Sequence, residues 1–134
     1  PHHESLAKLY SVAFYRSLRE RLRDGGVLVA QLGSPFFARD TYWTAVRTLE
    51  KAGWEPRAFH VPVPSFGEWG FAMAGSAVPE RPLRSFSGKF YDTDYDAELF
   101  RFPPDMQPPA LLSPNTLIRP VIVDRFREDW RRWN

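Results

Sequence analysis

The chain has 134 residues, room for one domain around one core. Apolar and charged residues are well mixed, which excludes a disordered tail, and eighteen basic against sixteen acidic side chains leave a net charge of only +2, without the concentrated basic patch that nucleic acid requires. With no cysteine, disulfides, thiolate catalysis and thiolate-held metals are excluded. No apolar run approaches the ~20 residues that span a bilayer, and no signal peptide is visible, so this stretch is expected to be soluble and cytoplasmic. It opens on Pro1-His2-His3 without a methionine and reads as the middle of a longer polypeptide.

Over residues 5–23, Leu6, Leu9, Tyr10, Ala13, Phe14, Leu18 and Leu22 recur at helical spacing. Ser11 is a candidate cap, with Tyr10 and Tyr15 as a hydrophobic staple, so the main helix is expected over 12–23 after a short turn. Asp24-Gly25-Gly26 ends it. The run 27–32 is mostly apolar without alternation, the pattern of a parallel strand covered on both faces. Gly33-Ser34-Pro35 turns the chain into a helix predicted over 40–52, with Asp40 as cap and Gly53 as stop. Strands are expected at 57–63 and 69–75, and their short link makes them an antiparallel pair.

After residue 78 prolines recur and regular structure thins, with a short helical turn expected at 94–99. The aromatics of that stretch are too many for a free linker, which predicts an ordered tail on the sheet edge or on a neighbouring subunit. Pro120 can open a last helix over 120–132, with Ile122, Phe126, Trp130 and Trp133 on its buried side. Its alternating charges, 124–132, read as a solvated face.

Gln31 ends the apolar strand, and open α/β sheets bind ligands beyond the carboxyl ends of their strands. Its amide can donate to and accept from an amine or hydroxyl, or it can cap the loop. The segment Pro64-Ser65-Phe66-Gly67-Glu68-Trp69-Gly70 joins turn residues, two aromatics and a carboxylate. Such a group can hold a cation, or it can be a hairpin whose rings pack into the core. His2, His3 and His60 lack metal-site spacing. Asp92, Asp94 and Asp96 lack the glycine and glutamate of a calcium loop, Ser34 and Ser65 lack a nucleophile's context, and no phosphate-binding glycine motif occurs.

Leu9-Tyr10-Ser11, Phe14-Tyr15, Leu22, Gly25-Gly26, Gln31, Pro35 and the run Pro64 through Phe71 resemble the polyamine aminopropyltransferases, the spermidine and spermine synthases. Phe102-Pro103-Pro104-Asp105-Met106 and Asn115-Thr116-Leu117 extend the resemblance to a bacterial branch with transmembrane helices ahead of the enzyme domain. The resemblance implies an α/β fold, the C-terminal half of a methyltransferase-like doubly wound sheet, with one parallel strand and a closing antiparallel pair. Residues 1–78 would belong to the catalytic domain and 79–134 to an ordered extension.

The implied reaction moves an aminopropyl group from decarboxylated S-adenosylmethionine to putrescine or a related polyamine, with no permanently bound cofactor and no metal. Pro1 matches the proline that closes the family's catalytic aspartate segment, so the base is expected ahead of it and no catalytic residue within the chain. His2, His3 and Leu6 match a gate over the donor's adenine, and Gln31 matches a glutamine near the amine. Phe66, Glu68 and Trp69 match the acceptor pocket. A chain that lacks the base is expected to be inactive alone and to seek its upstream half or a homo-oligomer. The alternatives are a piece of an S-adenosylmethionine-dependent methyltransferase and a non-catalytic oligomerisation module.

Overall fold

The structure, a computed structural model, describes residues 4–133. A short helix α1 (Glu4–Ala7) and a 3-10 turn (Lys8–Tyr10) lead to α2 (Val12–Arg21). Ser11 caps α2 as its sequence position suggests: its buried hydroxyl accepts the Phe14 N–H at 3.2 Å and donates to the Lys8 carbonyl at 2.7 Å. Gly25, at φ 75°, supplies the left-handed turn between α2 and the first strand.

Three strands follow, β1 (Leu28–Gly33), β2 (Arg57–Val63) and β3 (Gly67–Ala74), with α3 (Arg39–Lys51) between the first two. β2 and β3 form the expected antiparallel pair, in register from Arg57↔Met73 to Val63↔Gly67. β3 also pairs antiparallel with β1, so the order is β1-β3-β2 and the outer strands run the same way. Among the described residues nothing pairs with the other edge of β1. The apolar run suggested cover on both faces, but the helices cover one, and Val29 is left 57% exposed on the other.

The covered face is built for close approach. Gly70, Ala72 and Ala74 put almost no side chain between β3 and α3, and a Cβ on Gly70 would lie 2.3 Å from the Tyr42 ring. Fully buried Tyr42 uses that space to donate its hydroxyl to the Phe71 carbonyl at 2.9 Å. Burial pushes its phenol far above the ordinary range. Tyr15, Leu32, Leu49, Trp54 and Ile122 complete the core.

The tail is ordered by specific bonds. The Arg57 guanidinium sits 3.5 Å from the Phe100 ring centroid, and the Trp43 indole donates to the Met106 carbonyl at 2.7 Å. Fully buried Asn115 donates its amide to the carbonyls of Ala7 and Tyr10, both at 3.0 Å, and accepts the Ile122 N–H at 3.2 Å. Between the tail's ends lies a one-turn helix, α4 (Asp96–Leu99), and the last helix is α5 (Ile122–Arg131).

Two expectations are corrected here. Asp40 does not cap α3, because it already lies inside the helix, and it pairs with Arg132 at 3.3 Å instead. The open Thr41 N–H is met by Asp129 of α5, whose buried carboxylate accepts that N–H at 2.9 Å and the Thr41 hydroxyl at 2.7 Å. Nor do Trp130 and Trp133 form a buried side of α5. Ile122, Val123 and Asp129 do, while the two indoles stay 40% and 49% exposed. Among the described residues no helix is long and apolar enough to cross a membrane.

Candidate functional site

Where β1 ends, its register against β3 slips between Gln31 and Gly33, and Gly33 takes φ 88°. The Ser34 hydroxyl then accepts the N–H groups of Phe36 and Phe37, at 3.2 and 3.1 Å. This tight turn brings the start of α3 beside the strand's carboxyl end. A cleft of about 800 Å³ opens there. Its walls come from the first turns (Leu6, Tyr10), the end of β1 (Gln31), the start of α3 (Phe37, Thr41), the β2–β3 turn (Phe66, Trp69) and α5 (Phe126, Trp130).

Four of the residues singled out in the sequence therefore meet: Leu6, Gln31, Phe66 and Trp69. Gln31 lies opposite Phe71 in the sheet, two residues from Trp69 on β3, so Gln31 and Trp69 share the face turned away from α3. Phe66 is 55% exposed at the turn and its ring lies 5.3 Å from that of Trp69, so these aromatics wall a cleft and are not core. Glu68 alternates to the opposite face and is not brought in. Its carboxylate faces His60 Nδ1 at 2.6 Å, and His60 Nε2 faces the Arg101 carbonyl at 2.8 Å, which ties the hairpin to the tail. His3 lies outside the described residues.

Among the described residues that line the cleft, none is acidic or basic. Tyr10 is its one titratable group, and burial raises its phenol. The Thr41 hydroxyl is already spent on Asp129. What lines the space is the Gln31 amide, the hydroxyl-bearing Tyr10 and Ser65, and a ring of π faces. Such a surface suits an elongated ligand with methylene stems and a cationic group, gripped by apolar contact and cation–π attraction. These residues offer no carboxylate base. Among the described residues no cluster of three His, Asp or Glu could hold a metal ion.

Sequence reasoning missed Tyr10, Phe37, Phe126 and Trp130 as walls. The spacing of Phe126 and Trp130 was visible as one helix face, but periodicity does not say whether a face meets core or cleft.

The fold is that of a mixed α/β fragment consistent with part of a methyltransferase-like domain, and its cleft lies at the carboxyl end of a strand. The chain belongs to the spermine/spermidine synthase domain family, whose profile matches residues 2–81. It is 41% identical over 133 residues to polyamine aminopropyltransferase 2 of Ralstonia nicotianae, covering 97% of this chain and 26% of that protein. Polyamine aminopropyltransferase 1 of Streptomyces coelicolor is 39% identical over 135 residues, covering 98% and 25%. The polyamine aminopropyltransferase of Mycobacterium tuberculosis is 35% identical over 129 residues, covering 93% and 24%. The chain thus spans about a quarter of the length of the curated relatives it matches.

Proposed function

We propose that the full protein transfers the aminopropyl group of decarboxylated S-adenosylmethionine to putrescine or a related polyamine, and that this chain supplies the wall of the acceptor's seat. The amine nitrogen attacks the methylene carbon beside the sulfonium. The new N–C bond forms as the C–S bond breaks, and the electron pair returns to sulfur to give neutral methylthioadenosine. The nitrogen attacks as the neutral amine, so a base takes the proton of its ammonium form before this step. In this reading the base is an aspartate of the segment ahead of Pro1, so the chain alone is inactive.

Gln31, Phe66 and Trp69 contact the acceptor, Leu6 and, by the resemblance, His3 flank the donor, and Glu68, on the other strand face, ties the hairpin to the tail through His60. Residues 1–78 are the catalytic domain's share of the chain and 79–134 its extension. The uncovered sheet face around Val29 and the free edge of β1 take the upstream half of the protein, within a homo-oligomer. By the same resemblance, helices outside this chain anchor the protein with this domain in the cytoplasm.

The observation that carries the reading is the uncharged aromatic cleft at the end of β1 that unites Leu6, Gln31, Phe66 and Trp69. The test incubates the full-length protein with putrescine and decarboxylated S-adenosylmethionine and follows methylthioadenosine and the alkylated amine by chromatography. Methyl transfer from S-adenosylmethionine, with no methylthioadenosine from the decarboxylated donor, would replace this reading with a methyltransferase.

A further inference from the structure

We propose that α5 is a selectivity wall: Phe126 and Trp130 close the amine end of the cleft and set the length of amine it accepts. The inference rests on the reading that this cleft seats the acceptor. It assigns that role to an element outside the family profile, which ends at residue 81.

Phe126 and Trp130 stand one turn apart on α5, their ring centroids 5.9 Å apart, and both line the cleft. The Trp130 indole lies parallel to the Phe37 ring, at 7° and 6.3 Å, and Phe37 is held in turn by Trp133, edge-on at 5.2 Å. The Trp133 indole N–H also donates to the Phe37 carbonyl at 2.9 Å. Beneath the wall, the buried Asp129 carboxylate holds both donors of Thr41, and Thr41 itself borders the cleft. The rings are therefore fixed before any ligand arrives, which is what a selectivity element needs.

Trp130 is not there to fill the core, since two fifths of its surface is exposed. With no charged side chain among the described lining residues, the far ammonium of an acceptor meets ring faces. A triamine is longer than a diamine by one aminopropyl arm, and in this proposal the Trp130 indole takes up the space that arm needs. Removing the indole lengthens the seat and takes a ring from the shorter amine.

The test uses the full-length protein and compares kcat/KM for putrescine and spermidine. Trp130→Ala is expected to raise the spermidine-to-putrescine ratio about tenfold, mainly through KM. Trp130→Phe restores a ring and is expected to return the ratio most of the way to wild type. Phe126→Leu is expected to shift the ratio in the same direction by a smaller factor, and it carries the test if Trp130→Ala does not fold. A ratio within about twofold of wild type in both variants, with methylthioadenosine still released, overturns this inference and leaves the acceptor reading standing. A wild-type protein that releases no methylthioadenosine with any amine overturns both.

Discussion

Asn115 offers the sharpest test of how the tail is held. Its side chain makes three hydrogen bonds from a fully buried position, two donated to carbonyls and one accepted from an N–H. Asn115→Asp keeps the shape and the acceptor but turns the donor end into an oxygen facing the carbonyls of Ala7 and Tyr10. Two bonds are lost, about 1 kcal/mol each, and a carboxylate is buried without a partner, which adds several more. We expect a loss of about 5 kcal/mol at pH 7, against about 3 kcal/mol for Asn115→Ala. The isosteric change should be the worse one, contrary to a packing account.

The pH dependence fixes the sign. Burial beside acceptors raises the introduced carboxyl's pKa above its unfolded value of about 3.9. Its relative stability is then fully present below about pH 4 and is lost as pH rises through the folded value. Urea unfolding of both variants from pH 4 to 8 checks this. If Asn115→Asp is no less stable than Asn115→Ala at neutral pH, or its deficit does not shrink on acidification, the assignment of the amide as a double donor is wrong.

Gly70→Ala should cost about 1–3 kcal/mol, since its methyl would meet both the Tyr42 ring and, at 2.8 Å, the Gly33 carbonyl; a thermal melt measures it. The buried phenols of Tyr15 and Tyr42 have pKa values raised above 10.0, so their contribution is whole below about pH 10 and is lost as pH climbs toward the folded values. The melting temperature should therefore fall steeply above that pH, and less steeply in Tyr42→Phe, which gives up about 1 kcal/mol at neutral pH. If the full-length protein carries the proposed activity, Gln31→Ala should raise the amine KM about fivefold, whereas Glu68→Gln, on the opposite strand face, should leave it within about twofold. A large KM effect for Glu68→Gln with Gln31→Ala silent would reverse the assignment of the two strand faces.

Much of the local structure was legible because it obeys local rules. The Ser11 cap, the Gly25 turn and the 57–63 strand follow from a few neighbouring residues each. Gln31 could be placed at the mouth of a cleft because the end of an apolar strand is a position readable from sequence. The failures share a cause, which is distance along the chain. Thr41 receives its cap from Asp129, 88 residues away, so a reader scanning for a local cap settles on Asp40. Glu68 sits between two aromatics in sequence, yet strand alternation sends it to the other face, where His60 waits. Trp130 and Trp133 have the right spacing for a buried stripe, but only the tertiary arrangement shows that α5 presents them to a cleft and to Phe37.

Asn115 also bears on how the chain is made. The amide that completes the Ala7 and Tyr10 carbonyls lies 108 and 105 residues downstream of them. At about 5–20 residues per second, a ribosome reaches it roughly 5–20 s after those carbonyls have formed. For that interval the carbonyls of Ala7 and Tyr10 lack these two hydrogen bonds. The turn over residues 7–10 is thus completed only after the polypeptide beyond it, through Asn115, has been synthesised.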